Sequence, residues 1–245
     1  MMALSDDFDV VQLFVEFSLE WLDNRGYALT VDADLSNWTA VMAASTDAFV
    51  NPTFDPRHAS LSAANSFWLD VRSGSHTIAT CAARLFVTDD FLALMRTQRL
   101  WQDEPPPELG TLAITARRGM PIIASHIGHE GGLWVHPRHR KRGLSVILPH
   151  LTRALCVREW DVDWQTGVTQ RGIGERGIAR SAYGMRHVEP CFEGYFPPTR
   201  SLERLYFAYM DREELIAGLD RDTVAGLLPD RHQQPRHLRA LVKER

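Results

Sequence analysis

The sequence has 245 residues, of which 44% are hydrophobic and 24% are charged, and its formal net charge is −4. A chain of this length and composition can fold around a substantial core. The small negative charge argues against a dedicated nucleic-acid-binding protein, which usually carries a strong basic excess. Three scattered cysteines without CxxC spacing, an acidic start and no long apolar window predict a soluble, cytoplasmic protein without a membrane segment.

The N-terminal half of the sequence predicts two helices followed by a hairpin. Apolar residues recur at helical spacing from Phe8 to Leu22, which predicts an amphipathic helix, and Ser36 is the expected N-cap of a second helix. Two strand patterns flank residues 72–75, a turn sequence that predicts a β-hairpin. Residues 88–120 then form an insertion, with a helix of about twelve residues expected at its start and a proline-rich loop after it.

The C-terminal half alternates strand and helix patterns. The run LWV predicts a strand, a helix is expected from Leu144 onward with Pro149 near its first turn, and DVDWQTGVTQ and SLERLYFAYM predict further strands. We assign residues 1–210 to one α/β domain, in which helices flank a central, split mixed sheet. Residues 211–245 are expected to form a short helical C-terminal extension.

The stretch VHPRHRKRGLS, residues 135–145, is the best candidate for a binding site. Because the helix starts close to Leu144, Gly143 lies at a strand-to-helix turn where unpaired backbone N–H groups meet the positive end of the helix dipole. The small Gly143 and Ser145 would let a phosphate approach these groups closely. Arg140, Lys141 and Arg142 would attract and flank that anion.

This stretch resembles the Q/R-x-x-G-x-G/A signature of the GNAT superfamily of acyl-CoA-dependent N-acyltransferases. Val135-His136-Pro137 is similar to the Val-x-Pro that precedes that signature, and the likeness covers roughly residues 133–210. The resemblance implies a GNAT-like fold and acetyl-CoA as the cosubstrate, bound at Val135 and at residues 140–145. It also implies a bulge in the strand before the signature, with backbone amides near Trp134 and Val135 facing the thioester.

The resemblance further implies direct attack of an amine on the thioester, without a covalent enzyme intermediate. Glu130 lies close to the position where such enzymes often carry the base, and His129 beside it is a second candidate. Tyr183 is the candidate acid for the leaving thiolate. The insertion at residues 88–120 is expected to shape the acceptor cleft, with Trp101 and the pair Arg117-Arg118 as candidate contacts.

Other interpretations stay open at this point. The basic stretch can be an ordinary exposed turn, and Glu130 and Tyr183 can be a loop residue and a buried aromatic. A non-catalytic acyl-CoA sensor on the same fold is the main alternative, and a zinc protein using His126, His129 and the later pair His136 and His139 is a weaker one. The acceptor, a small molecule or a peptide amine, and the choice between monomer and homodimer are not decided by the sequence.

Overall fold

The computed structural model describes residues 3–45 and 47–225. Within them, seven strands and seven helices alternate along the chain. The helices are α1 (Ala3–Asp23), α2 (Leu35–Ala44), α3 (Phe91–Arg96), α4 (Leu144–Trp160), α5 (Arg171–Gly174), α6 (Ile178–Ser181) and α7 (Arg212–Ala225). The strands are β1 (Ala28–Asp32), β2 (Ser66–Ser73), β3 (His76–Thr88), β4 (Ser125–Val135), β5 (Trp164–Gln170), β6 (His187–Phe196) and β7 (Ser201–Asp211).

The strands form one sheet in the order β1-β2-β3-β4-β5-β7-β6. All neighbours are antiparallel except β4 and β5, which run parallel and are joined through α4. Their pairing covers only Ile127–Glu130 on β4 and Trp164–Gly167 on β5, so the two strands part from each other beyond these residues. The predicted α/β domain with a split mixed sheet is therefore confirmed, and the split lies between β4 and β5.

Helices cover both faces of the sheet. On one face, α1, α4 and α7 pack with the sheet into the largest apolar cluster, which includes Phe14, Leu151 and Leu215. On the other face, α2 packs Trp38 and Met42 into a smaller cluster, while α3 and the rest of the insertion pack into a third. The sheet is thus the middle layer of three, and a gap between two of its strands connects the two helical layers.

The first part of the predicted C-terminal extension packs against the domain. Leu215 and Leu219 of α7 are buried in the same cluster as α1 and α4. Residues 226–245 of the predicted extension lie outside the described residues. No helix in the described part of the chain is long and apolar enough to cross a bilayer.

Two local predictions are corrected, and a third is confirmed. The N-cap of α2 is Asp34, whose carboxylate accepts the N–H of Ser36, and not Ser36 itself. Helix α3 ends at Arg96 because Gln98 adopts a left-handed conformation with φ of 62°. Pro149 lies in the second turn of α4, which starts at Leu144 as predicted.

Candidate active site

A cleft of about 270 Å³ opens where β4 and β5 part. Its walls include residues 130–134 of β4 and residues 167–170 of β5. Beyond Gly167 the two strands no longer exchange hydrogen bonds, so each presents a free backbone edge to the cleft. The opening in the sheet therefore creates both the space and the polar groups of the site.

A β-bulge shapes the β4 wall of the cleft. Thr80 pairs with Trp134 and Ala82 with Gly131, which leaves Gly132 and Leu133 opposite the single residue Cys81. A bulge leaves its extra residue outside the hydrogen-bonded ladder. The bulge implied by the family resemblance is present, but it lies at residues 132–133.

The bulge requires glycine at two positions. Gly132 has φ of 60°, and a Cβ there would lie 2.4 Å from the ring of Trp38. A Cβ on Gly131 would lie 2.7 Å from the ring of Phe54. No other residue therefore fits at either position without moving the aromatic residues of α2 and the following segment.

The bulge is two residues earlier than the expected amides at Trp134 and Val135. Trp134 lines the cleft, and its indole N–H donates to Asp47 at 2.9 Å. Val135 stays paired with Ala79 and is buried in the main core, so its side chain is not part of the cleft wall. We therefore move the candidate carbonyl-binding amides from these two residues to the Gly132–Leu133 bulge.

Glu130 lies in the cleft, and one of its two carboxylate oxygens is hydrogen-bonded to neighbouring side chains. Its Oε2 accepts hydrogen bonds from Arg153 Nε at 3.0 Å and from Gln165 Nε2 at 3.3 Å. Its Oε1 has no partner among the described residues. Burial raises the pKa of this carboxyl, and Arg153 opposes the rise. Glu130 therefore combines an available oxygen with a carboxylate more basic than usual.

His129 faces away from the cleft. Successive residues of a strand point to opposite faces, and the His129 ring packs among Phe54, Phe86 and Phe91 on the other side of β4. It is only 1% exposed, and burial lowers its pKa to about 3. His129 is thus a neutral core histidine bonded to Thr166 at 3.0 Å, and its position does not support the candidate role as base.

Tyr183 lies in the cleft wall, half-buried, beside α6. Burial raises the pKa of its phenol, so the hydroxyl carries its proton near neutral pH. The Arg153 guanidinium donates to the backbone carbonyl of Tyr183 and also binds Glu130. One arginine of α4 thus links the candidate base and the candidate acid.

Cys81 is the cysteine of the cleft wall. It is fully buried, and desolvation raises the pKa of its thiol to about 12. The thiolate, which is the reactive form, is therefore scarce at neutral pH.

The start of α4 has the geometry expected of an anion site. Gly143 is in the left-handed region with φ of 86°, and no side chain caps the helix. Leu144 is buried and Ser145 partly buried, while Lys141 and Arg142 are exposed. Arg140 binds the Asp47 carboxylate and donates through Nε to the carbonyl of Val135 at 3.0 Å, so it ties the loop to the cleft wall.

Asn51 is a cleft residue that the sequence did not point to. Its Oδ1 accepts the N–H of Thr53 at 3.1 Å and caps a short 3₁₀ turn. This bond fixes the orientation of the amide and leaves Nδ2 without a partner among the described residues. Nδ2 lies 3.5 Å from where a Cβ of Gly131 would be, next to the bulge. The only sequence signal is the pair Asn51-Pro52, which is typical of turns and helix ends.

The four histidines considered as zinc ligands do not come together. His129 is buried on the far face of β4, whereas the rings of His136 and His139 lie 6.0 Å apart after its end. Across residues 3–45 and 47–225, no group of three or more His, Cys, Asp or Glu side chains could hold a metal ion.

Comparison with known proteins gives likenesses of structure alone. No family model matches the sequence, and no curated protein matches it. NAA60 of Arabidopsis thaliana, in complex with acetyl-CoA, is similar over 76% of this chain and 99% of its own, with 10% identity and a TM-score of 0.47. The ribosomal-protein-S18-alanine N-acetyltransferase of Escherichia coli is similar over 75% and 94%, with 10% identity and a TM-score of 0.43.

A third similar structure is BjaI, a CoA-dependent acyl-homoserine lactone synthase. It covers 64% of this chain and 64% of its own, at 18% identity and a TM-score of 0.38. With TM-scores this low, we assign the fold from this chain's own strand order, split sheet and bulged β4. These features confirm the split mixed sheet predicted from the sequence and place a bulge in β4.

Proposed function

We propose that this chain is an acyl-CoA-dependent N-acyltransferase that uses acetyl-CoA and a small-molecule or peptide amine. The observation that carries the proposal is the position of the cleft, which opens beside a glycine bulge and is lined by both Glu130 and Tyr183. Acyl transfer to an amine needs oxyanion stabilisation, a proton acceptor for the amine and a proton donor for the thiolate. The cleft has a candidate for each of these three tasks.

In this proposal the start of α4 binds the pyrophosphate of coenzyme A. The N–H groups of Leu144 and Ser145 lack acceptors within the helix, and Gly143 leaves room for an anion. Lys141 and Arg142 are exposed beside them and add attraction. Pro149, further along the same helix, lines the cleft, which supports a continuous path from the helix start to the bulge. When bound, coenzyme A supplies the acyl group as an activated thioester.

The Gly132–Leu133 bulge and Asn51 would bind the carbonyl oxygen of the thioester. The extra residue of the bulge has a backbone N–H outside the ladder, and the Asn51 amide donates from the adjacent wall. Donors held in place before the reaction stabilise developing negative charge without reorganisation. Asn51 meets this condition because its own cap bond to Thr53 holds its amide.

Glu130 would accept the proton of the amine through Oε1. The raised pKa makes this carboxylate a stronger base than an exposed glutamate, while the Arg153 ion pair opposes that rise and holds the side chain in place. Tyr183 would donate its proton to the leaving thiolate. Because the one cysteine of the cleft wall, Cys81, has a pKa of about 12, the amine attacks the thioester directly.

A non-catalytic acyl-CoA-binding module is the second candidate. It is favoured by the ion pair between Glu130 and Arg153, both largely buried, because a carboxylate engaged with arginine is a weaker proton acceptor than a free one. Both candidates share the coenzyme A site and differ only in turnover.

Calorimetry with acetyl-CoA tests the shared site. We expect binding to the wild-type chain and loss of binding in Gly143→Trp, since a large side chain would fill the approach to the helix start. Gly119→Trp is the matched control, because Gly119 has a similar φ of 83° and open space around it, away from α4. Unchanged binding in Gly143→Trp would show that the site assignment is wrong.

Thiol release from acetyl-CoA in the presence of an amine panel separates the two candidates. We expect release that depends on the amine and is lost in Glu130→Gln. Binding of acetyl-CoA without release across a broad panel would favour the sensor.

A further inference from the structure

The cleft passes through the sheet and has two chemically different sides. Cys81 and Tyr183 line it on the face covered by α4, where the start of that helix and Arg153 also lie. On the opposite face, the cleft is lined by Phe49, Trp101 and Phe196, which come from the segment after α2, from the insertion and from the end of β6. Coenzyme A, as proposed above, approaches from the α4 face, so the opposite face is left for the remaining part of the substrates.

Trp101 and Phe196 form the end wall of this second side. Their rings meet edge to face with centroids 4.9 Å apart, and both side chains are buried. Leu205 of β7 lines the same side and belongs to the same apolar cluster. The end wall formed by Trp101, Phe196 and Leu205 is therefore aromatic and aliphatic, and Asn51 and Thr199 are polar neighbours in the same lining.

The insertion holds Trp101 rigidly. The N–H of Trp101 donates to the carbonyl of Gln98 at 3.0 Å. Gln98 is fully buried, and its Nε2 donates to the carbonyls of Leu109 and Gly110 at 3.0 and 3.1 Å, which closes the proline-rich loop onto the start of the insertion. Arg84 adds an ion pair to Asp103 at 2.6 Å. Trp101 is thus held in the wall by hydrogen bonds and packing within the insertion.

The two charged side chains of the cleft wall are each in an ion pair, and Glu130 keeps only Oε1 free. Among the described residues, the charged side chains that line it are Asp47, bound to Arg140 and to the indole N–H of Trp134, and Glu130, bound to Arg153. No arginine, lysine or histidine is part of the described lining. Beyond the Glu130 Oε1 that would serve the reacting amine, a polyamine would need a further free carboxylate for its other charge, and an amino acid would need a free cation for its carboxylate. The cleft provides neither, so these two acceptor classes do not fit it.

We propose that the insertion side of the cleft binds an apolar group of about the size of an aromatic ring, and that Trp101 with Phe196 selects for it. The group belongs either to the amine or to an acyl chain longer than acetyl, since both meet at the bulge. The proposal rests on the proposed function for the orientation of the substrates, but the apolar selectivity itself is a property of the wall. Apolar pockets reward each buried methylene and cannot pair an unsolvated charge.

Two substrate series test the proposal and separate the two sources of the group. The amine series compares 2-phenylethylamine with ethylamine and spermidine, at fixed acetyl-CoA. The acyl series compares hexanoyl-CoA with acetyl-CoA, at fixed ethylamine. We expect kcat/KM to be at least about tenfold higher for the apolar member of one series, the scale on which hydrophobic pockets discriminate. Equal values within both series, or a preference for spermidine, would overturn the proposal.

Substitutions at Trp101 test whether this residue is the cause of the selectivity. Trp101→Ala should reduce the preference to near unity, whereas Trp101→Phe, which keeps a ring and is the safer variant for folding, should retain most of it. Arg99→Ala is the matched control within the insertion, because Arg99 is exposed and does not belong to the described lining of the cleft. A preference that survives Trp101→Ala in folded protein would contradict the role of Trp101.

Calorimetry with the same compounds keeps the test independent of turnover. If the chain binds but does not turn over, tighter binding of 2-phenylethylamine than ethylamine, or of hexanoyl-CoA than acetyl-CoA, supports the apolar wall while the proposed catalysis fails. Equal binding within both series refutes the wall even if acetylation is observed.

Discussion

The two halves of β4 use the same backbone for different purposes. From Ile127 to Glu130, its closed half, the strand pairs with both β3 and β5, and the sheet uses most of its backbone hydrogen-bonding groups. From Gly131 to Val135, its open half, the strand pairs only with β3, and the bulge interrupts that pairing. The difference shows how an interruption in a sheet becomes a site, because polar groups released from the ladder are available to a ligand.

The junction of the two halves separates two adjacent ionisable residues. His129 belongs to the closed half and points into the aromatic cluster, whereas Glu130 is the last residue paired with β5 and points into the cleft. Their pKa values respond to burial in opposite directions, lowered for the histidine and raised for the glutamate. In both cases burial favours the neutral form, but only Glu130 can reach a substrate.

Replacement at the junction should have the largest effect. We expect Glu130→Gln to lower kcat by about a thousandfold, the typical contribution of a positioned base, with little change in KM. As the pH is lowered, the wild-type rate should begin to fall at a higher pH than for an ordinary glutamate, because the pKa of Glu130 is raised. The variant should lack this pH dependence. Glu159→Gln, at an exposed position of α4, is the control. If Glu130→Gln kept both the wild-type rate and its decrease at low pH, Glu130 would not be the base.

A variant that shifts the bulge should have the second-largest effect. Gly132→Ala places a Cβ against Trp38 at a positive φ, so we expect a loss of about 2 kcal/mol in the free energy of unfolding and about a hundredfold loss in kcat as the bulge shifts. Thermal unfolding and thiol release measure the two effects. The matched variant Gly172→Ala, which meets nothing within 4 Å, should change neither. Full activity in folded Gly132→Ala would contradict the role of the bulge.

At Asn51, the side-chain N–H donor beside the bulge can be removed while the capping bond to Thr53 is kept. Asp is as good an N-cap as Asn, so Asn51→Asp should keep the bond to Thr53 and the melting temperature, while kcat falls by about tenfold because the amide donor is gone. Asn51→Ala should lose both the cap and the donor. Equal rates in the wild type and Asn51→Asp would limit Asn51 to a capping role.

Replacement of His129, in the closed half, should change the stability of the fold and not its activity. His129 has a pKa of about 3 in the folded state and near 6.5 when unfolded, so the unfolded state binds more protons between these values. Its stabilising contribution is complete above pH 6.5 and is lost as the pH falls below it. In His129→Gln, the pH slope of the unfolding free energy should decrease by up to about 1.4 kcal/mol per pH unit below pH 6.

Urea unfolding between pH 4 and pH 8 measures this slope. His126→Gln is the control, because His126 starts the same strand but is exposed. An unchanged slope in His129→Gln would mean that the ring is not buried as a neutral group.

Several features were predictable from the sequence because their causes are local. Helical periodicity and Pro149 placed the start of α4 at Leu144, and a turn sequence placed the β2–β3 hairpin. The strand and helix order predicted a split mixed sheet. Glu130, Tyr183 and Trp101 were also named in advance, and all three line the cleft.

Other features were decided by tertiary contacts between distant segments. The bulge at residues 132–133 packs against Trp38, which is far away in sequence and leaves no room for a Cβ at Gly132. The same packing decides that His129 faces the aromatic cluster and that the Asn51 amide lies beside the bulge. The sequence by itself determined the elements and most of the reactive groups, since propensity and periodicity act over a few residues. Which groups share the cleft depended on register and burial across the sheet, which only the folded chain specifies.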